Sequence, residues 1–593
     1  MTQEQRICQN CKQQFTVASE DFDFYKKMQV PPPTWCPECR LVRRLAMRNE
    51  RALYKRKCDL CGEEKIMSFS PAVPFTVYCK ECWWSDKWDS RQYGADYDFS
   101  KPFFEQFREL LKRVPRPGIV HQGTIVNSQY TNRVSNLKDC YLIYGSNFNE
   151  HCFYGTWFND AKDSFDGLSV QKSEQCYECI DCFQCQHLLY SQECTACSNS
   201  FFLFNCRNCE SCFGCVNLRN KSNCIFNVQY SKEEYKKLVA QFNVGSYMMR
   251  DALEAKFKEA KVTHIVPSLV AHHSQNISGN WIEESKNIFR GFTCRKVEDA
   301  RYVYGLVESK DAIDYCFWGR TTELVYESIN VGYQSSNIRC STEIWDQVRN
   351  ATYSMNCHNS HDLFGCIGLR NAEYAILNKQ YSQEEFERQS AKIIEQMKTV
   401  PYTDSQGRIY KYGEFFPVDY HLFAYNEATA HEYFPLAREE AVRRGYSWKE
   451  PEERNYQVTV FPEQLPDHIK DVSDDMVSQT IGCAHKGTCN EQCTTAFRLT
   501  RDELQFYRAH EVPLPRLCPN CRHRARLNKR NPLKLWHRVC ACNGAESRGQ
   551  ITYRNTAAHA HGVSPCPNKF ETSYAPERPE IVYCEQCYQA EVA

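Results

Sequence analysis

No apolar run approaches the roughly eighteen residues that a membrane-spanning helix needs, and mean hydropathy is −0.62. The opening "MTQEQRICQN" is polar and lacks the apolar core of an export signal. The chain is therefore expected to work in a reducing cytoplasm, off the membrane. Net charge is also missing: 73 basic and 73 acidic side chains cancel, so any cationic surface must be local. Among short catalytic motifs, no GxxxxGK[ST], HExxH or GxSxG occurs, which removes the commonest nucleotide, zinc-peptidase and serine-hydrolase chemistries. An enzyme is not expected, although a site built from dispersed residues would escape this reading.

Cysteine, by contrast, is abundant: 36 in 593 residues. In a reducing compartment these are metal ligands or small buried side chains rather than disulfides. Near the start, Cys8, Cys11, Cys36 and Cys39 form paired CxxC knuckles, and Cys58, Cys61, Cys79 and Cys82 form a second set. Such spacing suits tetrahedral zinc held by four thiolates with no open position for catalysis. Near the end, Cys493, Cys518, Cys521 and Cys540 repeat Cys11, Cys36, Cys39 and Cys58 at a constant shift of 482, and "FYKKMQVPPPTWCPECR" answers "FYRAHEVPLPRLCPNCR". The two ends are an internal duplication. The expected C-terminal ligands are Cys489, Cys493, Cys518 and Cys521 for a third site, and Cys540, Cys542, Cys584 and Cys587 for a fourth. In that fourth set Cys566 or a histidine of "HAH" (His559, His561) could replace a ligand. Three to four Zn2+ per chain and no organic cofactor are expected.

Each treble of knuckles runs into a basic stretch. Residues 40–57 carry eight Arg and Lys against one acid, and 522–538 carry seven against none. Both read as helices with a cationic face, so Arg40, Arg43, Arg44, Arg48, Arg522, Arg524, Arg526 and Arg530 are candidates for phosphate contact, with RNA or ribosome favoured over a specific DNA site. The rival reading is a basic helix that packs against acidic parts of its own chain.

The centre is a repeat. All thirteen cysteines between Cys140 and Cys224 lie a multiple of three residues from Cys140 and fall into four columns of a twelve-residue register. The residue before the main column is polar throughout (Asp139, His151, Asp163, Gln175, His187, Asn199, Ser211, Asn223), and the residue after it is apolar throughout (Tyr141, Phe153, Phe165, Tyr177, Leu189, Phe201, Phe213, Ile225). A fixed short period of this kind predicts a β-solenoid whose coils stack at about 4.8 Å, with cysteine as interior filling. The run "CYECIDCFQC" has ferredoxin-like spacing but no following proline, so an Fe–S or redox protein is the minority reading. A second, cysteine-poorer solenoid is expected from Asn287, Asp299, Asp311 and Glu323, resuming after a slip at Asn350 and Asp362. Both solenoids end in a Ser-x-x-Glu capping box, Ser231/Glu234 and Ser382/Glu385, that opens a capping helix.

The expected class is mainly β: two short-coil solenoids with helical caps, flanked by duplicated zinc modules. The boundaries are 1–57 and 58–98 for the first zinc modules, 99–126 a helical linker, 127–230 the cysteine-rich solenoid, 231–270 cap and linker, 271–381 the second solenoid, 382–400 its cap, 401–480 a connector, and 481–539 and 540–593 the duplicate modules. The knuckles resemble bacterial treble-clef zinc-binding domains. The whole, including "EYFPLAREEAVRRGY", resembles a cysteine-rich family from candidate-phylum bacteria sometimes labelled CaiB/BaiF. That label implies coenzyme A transfer, for which the residues offer no basis. The function expected is a non-enzymatic zinc scaffold contacting nucleic acid, with a protein-interaction scaffold as the alternative.

Overall fold

The computed structural model describes residues 3–157, 159–450, 456–489 and 491–592. Within the expected 401–480 connector, residues 451–455 lie outside them. The protein is mainly β, built on stacked parallel coils, with cysteine clusters at both ends.

In the first solenoid, coils pair in parallel at a shift of twelve: Tyr141 with Phe153, Phe153 with Phe165, Phe165 with Tyr177 and Tyr177 with Leu189, then Leu189 with Phe201, Phe213 and Ile225 in turn. Each coil is four triplets. The first residue of a triplet points inward and is most often small, with Leu137, Ile143, Leu188 and Leu203 the larger ones, the second pairs with the next coil, and the third turns the corner with positive φ. Asp139, His151, Asp163, Gln175, His187, Asn199, Ser211 and Asn223 all take φ between 48° and 57°. That is the left-handed region, which Asn and Asp enter more readily than most residues. The polar column is therefore one corner column, while another carries Leu142, Tyr154, Tyr190 and Phe202.

The inward cysteines are buried, and their thiols donate to backbone carbonyls that also accept an N–H from the adjoining coil, as Ala161 O accepts from Glu150 N at 3.2 Å. Cys152 reaches Glu150 O and Ala161 O, both at 3.3 Å. Ser164, one coil on, makes the same bonds to Lys162 O at 3.0 Å and Ser173 O at 3.5 Å. Cysteine is thus a small, weakly donating interior residue here. The first coil starts earlier than expected, because His121–Val126 already pairs with Val134–Lys138.

The second solenoid follows the same plan with a different slip. Ala300 pairs with Ala312 at twelve, but Ala312 with Val325, Val325 with Ile338 and Ile338 with Ala351 are each thirteen apart. The partner of Lys310 is Glu323, so the corner equivalent to Asp311 is Leu324 (φ 57°), not Glu323 as the twelve-residue count predicts. The strands Ser309–Cys316 and Thr322–Val331 are eight and ten residues long.

Both capping helices form. Ser231 accepts from Glu234 N at 3.3 Å while Glu234 accepts from Ser231 N at 3.1 Å, a complete box opening Lys232–Val239. Ser382 caps Gln383–Thr399 through Glu385 N at 3.3 Å, but the Glu385 carboxylate turns to Arg388, so the second box is half made.

The terminal modules cross over. The N-terminal helix Pro37–Leu45 lies on strands of the second solenoid, and its duplicate Pro519–Lys529 lies on the first. The N-terminal ribbon strand Val77–Tyr78 pairs with Arg116–Pro117, which leads into the first solenoid, and Ile581–Tyr583 pairs with Ile265–Pro267, which leads into the second. No helix among the described residues is long and apolar enough to cross a membrane.

Candidate metal centres and the docking arginines

Four groups of four thiols gather at the two ends, the sulfurs of each within 4.8 Å of one another. A tetrahedral ion with metal–sulfur bonds near 2.3 Å needs sulfurs about 3.8 Å apart. Cys11–Cys36 at 3.7 Å, Cys61–Cys79 at 4.0 Å, Cys518–Cys493 at 3.9 Å and Cys566–Cys584 at 3.9 Å meet that requirement. Each group can hold a metal ion.

The two N-terminal sets are those the sequence predicts: Cys8, Cys11, Cys36, Cys39 and Cys58, Cys61, Cys79, Cys82. In each, a two-strand turn supplies one pair and a helix N-terminus supplies the other. Cys36 and Cys79 sit at the N-caps of their helices. Backbone N–H groups turn toward the sulfurs, Cys36 N to Cys8 Sγ and Cys79 N to Cys58 Sγ, both at 3.2 Å. At Cys58 burial raises the thiol pKa, but N–H donors from Cys61, Cys79 and Leu60 outweigh it and bring it down to about 7.

The C-terminal sets differ from expectation by one ligand each. The third is Cys483, Cys493, Cys518 and Cys521. Cys483 does what Cys8 does: its N–H bonds Thr495 O at 2.8 Å as that of Cys8 bonds Gln13 O at 2.9 Å, and its sulfur accepts from Cys518 N at 3.3 Å. Cys489 stands beside the set, its sulfur 3.7 Å from that of Cys521. Cys483 and Cys493 are ten residues apart where Cys8 and Cys11 are three apart, and this insertion hides the equivalence from a spacing search. The fourth set is Cys540, Cys566, Cys584 and Cys587. Cys566 takes the place of Cys61: Cys540 N bonds Asn568 O at 2.9 Å as Cys58 N bonds Glu63 O at 2.9 Å. Cys542 is displaced from this set into a separate group with His559, His561 and Cys587.

The candidate phosphate-binding arginines do not form an open cationic face. Arg40, Arg43 and Arg44 are 0–1 % exposed, and Arg48, Arg522, Arg526 and Arg530 are 0–6 % exposed. Arg40 and Arg44 meet Asp314 at 2.8 and 3.2 Å, and Arg43 and Arg44 each meet Glu327 at 2.5 Å. At the shift of 482, Arg522 and Arg526 meet Asp166 at 2.7 and 2.9 Å, and Arg526 meets Glu178 at 2.9 Å. The last rung is Arg48 on Asn330 and Arg530 on Asp181. Burial alone would lower the pKa of Arg40 and Arg522, but the facing Asp314 and Asp166 outweigh it and hold both guanidiniums charged. Arg524 alone is half-buried, donating to Glu432 O at 2.7 Å. The rival reading of the sequence holds: the basic helices pack on acidic positions of their own chain.

Aromatic packing repeats the same duplication. Tyr25 meets Tyr326 and Tyr507 meets Tyr177, each edge to face at 5.8 Å, and Tyr302 and Tyr154 bond the equivalent acids Asp21 and Glu503 at 3.2 and 2.6 Å. The apolar column of the first solenoid is thereby covered, with Phe165 stacked on Phe506 at 4.0 Å. Between the solenoids lies a cleft of about 680 Å³ lined by Trp157, Trp281, Phe317, Trp318, Trp345 and Arg320 among others. One wall follows the twelve-residue register, through Asn147, Asn159, Gln171, Phe183, Thr195 and Arg207, but the register alone does not tell which face of a coil is left uncovered.

No protein-family model matches the chain, and no curated protein matches it in sequence.

Proposed function

We propose that the protein is a non-enzymatic zinc scaffold in which the terminal metal modules clamp two β-solenoids together and the cleft between them is the recognition surface for a protein or peptide partner. The observation that carries this reading is the buried arginine–carboxylate ladder, repeated on both solenoids, which turns the basic helices inward. Four all-thiolate sets favour zinc, whose structural sites are closed tetrahedra of this kind. The solenoid cysteines speak for packing over Fe–S ligation, because their sulfurs donate to carbonyls, as Cys179 does to Leu188 O at 3.1 Å. An interior thiolate would face carbonyl oxygens with nothing to balance it.

Contact with RNA or the ribosome through Arg40, Arg43, Arg44, Arg48, Arg522, Arg526 and Arg530 would require those side chains to leave their carboxylates. The test is fluorescence anisotropy of the metal-loaded full chain with a labelled single-stranded RNA across a salt series. The scaffold reading expects no affinity that falls by about 0.7 log units per log salt for each phosphate neutralised. Such binding, lost in an Arg524→Ala or Arg40→Ala chain, would overturn it in favour of nucleic-acid contact. Metal analysis of protein purified without air should find zinc, with negligible iron and no acid-labile sulfide; stoichiometric iron with sulfide would move the reading to redox chemistry.

A further inference from the structure

The C-terminal ribbon differs from the N-terminal one by an insertion. Cys540 and Cys566 are 26 residues apart where Cys58 and Cys61 are three apart, and the inserted loop folds back over the thiol set. Its own metal-binding side chains converge: Cys542, His559 and His561 bring ligand atoms within 4.8 Å of one another and of Cys587 Sγ, a sulfur that also belongs to the Cys540, Cys566, Cys584 set.

Each inserted donor is oriented by a further partner, as metal ligands are. His559 Nε2 donates to Glu591 Oε1 at 2.9 Å, both side chains 0–1 % exposed, which leaves Nδ1 as the free lone pair. That Nδ1 is buried with no hydrogen-bond partner, an arrangement that costs free energy unless something accepts the lone pair. His561 is held the other way round: Nδ1 donates to Ser564 O at 2.6 Å and Nε2 faces Cys587 Sγ at 3.4 Å. Cys542 is fully buried and its sulfur accepts from Asn555 Nδ2 at 3.2 Å. Glu591 and Cys587 are four residues apart on the helix Glu585–Val592, so one helix face presents the shared thiol and the carboxylate that orients His559. The same Glu591 accepts from Thr556 N at 2.9 Å and Ala557 N at 3.1 Å, tying the inserted loop down at the point where His559 follows.

We propose that Cys542, His559, His561 and Cys587 form a fifth metal site, for Zn2+ or a similar borderline divalent cation, and that Cys587 Sγ bridges it to the neighbouring four-thiol site. Two thiolates and two imidazoles suit such cations and not Mg2+ or Ca2+, which take oxygen donors. The N-terminal ribbon, with Gly62 and Glu63 directly after Cys61, has no such loop and serves as the internal comparison. The proposal rests on the four-thiol reading of the C-terminal ribbon, and the test separates the two.

The experiment is metal counting by mass spectrometry on the full chain purified without air and loaded with Zn2+. Five ions per chain are expected, falling to four in both the His559→Gln/His561→Gln and the Cys542→Ser chains. A wild-type count of four, unchanged by these substitutions, overturns the fifth site and leaves the four-thiol sites standing; a count below four overturns both. A fifth ion that the histidine pair does not remove also overturns the proposal, because it must then sit elsewhere. Cd2+ loading of the unaltered chain avoids any folding defect of the variants. Five 113Cd resonances are expected, one of them upfield of the rest, as imidazole ligation requires, and split with a thiolate signal by coupling through the bridging sulfur. Four unsplit signals would contradict it.

Discussion

The N-terminal and C-terminal modules dock in the same way and assemble their thiol sets differently. Arg40, Arg44 and Arg48 repeat as Arg522, Arg526 and Arg530 at one shift, and their partners Asp314, Glu327 and Asn330 repeat as Asp166, Glu178 and Asp181. In the metal sites the C-terminal copy has taken insertions after its first ligand, at Cys483 and at Cys540, while keeping a tetrahedral set of thiols. The contrast has a physical basis. A ligand loop on the surface can lengthen at small entropic cost so long as its ends still bring sulfur to the ion. A buried charge cannot move, because taking either partner away strands the other in a low dielectric. Buried ion pairs add little net stability over apolar packing, but unpaired ones are costly, so the ladder serves best to specify which module sits on which solenoid, and in what register.

The sharpest way to break the comparison is at the displaced ligands. Cys483→Ser is expected to cost one metal ion and unfold the third site, an effect that can reach the order of 10 kcal/mol of metal-linked folding energy, whereas Cys489→Ser should keep the full complement; metal counting on the two chains decides. Equal metal loss in both would mean that Cys489 is the ligand and that the module has no Cys8 equivalent.

Next comes the ladder itself. Asp314→Ala takes a carboxylate from Arg40 and Arg44, and Asp166→Ala takes one from Arg522 and Arg526; each is expected to destabilise its docked module by about 3–5 kcal/mol. Chemical denaturation of the metal-loaded chains measures this. A costly Asp314→Ala beside a neutral Asp166→Ala would show that the two halves only look alike.

Acid should act on the N-terminal clamp through His421. Its Nε2 donates to Arg43 O at 3.1 Å, and burial, with the Arg43 guanidinium second, pushes its pKa down to about 3. The folded chain thus keeps it neutral while the unfolded chain protonates it below its ordinary value of about 6.5. Its contribution to stability is full above that value and declines as pH falls toward about 3, amounting to about 2 kcal/mol lost at pH 5. His421→Gln should remove that part of the pH slope, and an unchanged slope in denaturation curves between pH 7 and 5 would contradict it.

The smallest effect is expected inside the solenoid. Cys194 Sγ donates to Gln192 O at 3.3 Å as Ser191 Oγ donates to Leu189 O at 2.9 Å, so Cys194→Ser should change stability by no more than about 1 kcal/mol. A loss of bound iron in that chain would count against the packing role.

The solenoids were legible in sequence because the fold imposes a period of twelve, in which cysteine columns face inward and one polar corner column stands beside one apolar paired column. The slip at Asp311 was not, because a thirteen-residue coil keeps the same residue types and moves only the count, so Glu323 stands where Leu324 belongs. Ligand spacing failed at Cys483 and Cys566 for the reason that it worked at Cys8 and Cys61: it reads loop length, and only the N-terminal loops are short. The arginines were found and their direction was not, since composition gives charge without burial. A signal was nonetheless present. Arg40 and Arg44, and Arg522 and Arg526, are four residues apart on their helices, the spacing of one helix face, and Arg48 and Arg530 follow just past the helix ends; a single stripe is how a helix marks the side it packs.

The most direct measurement is arginine footprinting of the metal-loaded full chain with phenylglyoxal, read by peptide mass spectrometry. Arg40, Arg43, Arg44, Arg522 and Arg526 are expected to stay unmodified while Arg443, its side chain 77 % exposed, reacts readily, and chelation of the metal should open the first group. Modification of the docking arginines at the rate of Arg443 in the metal-loaded chain would contradict the clamp and return those helices to the surface.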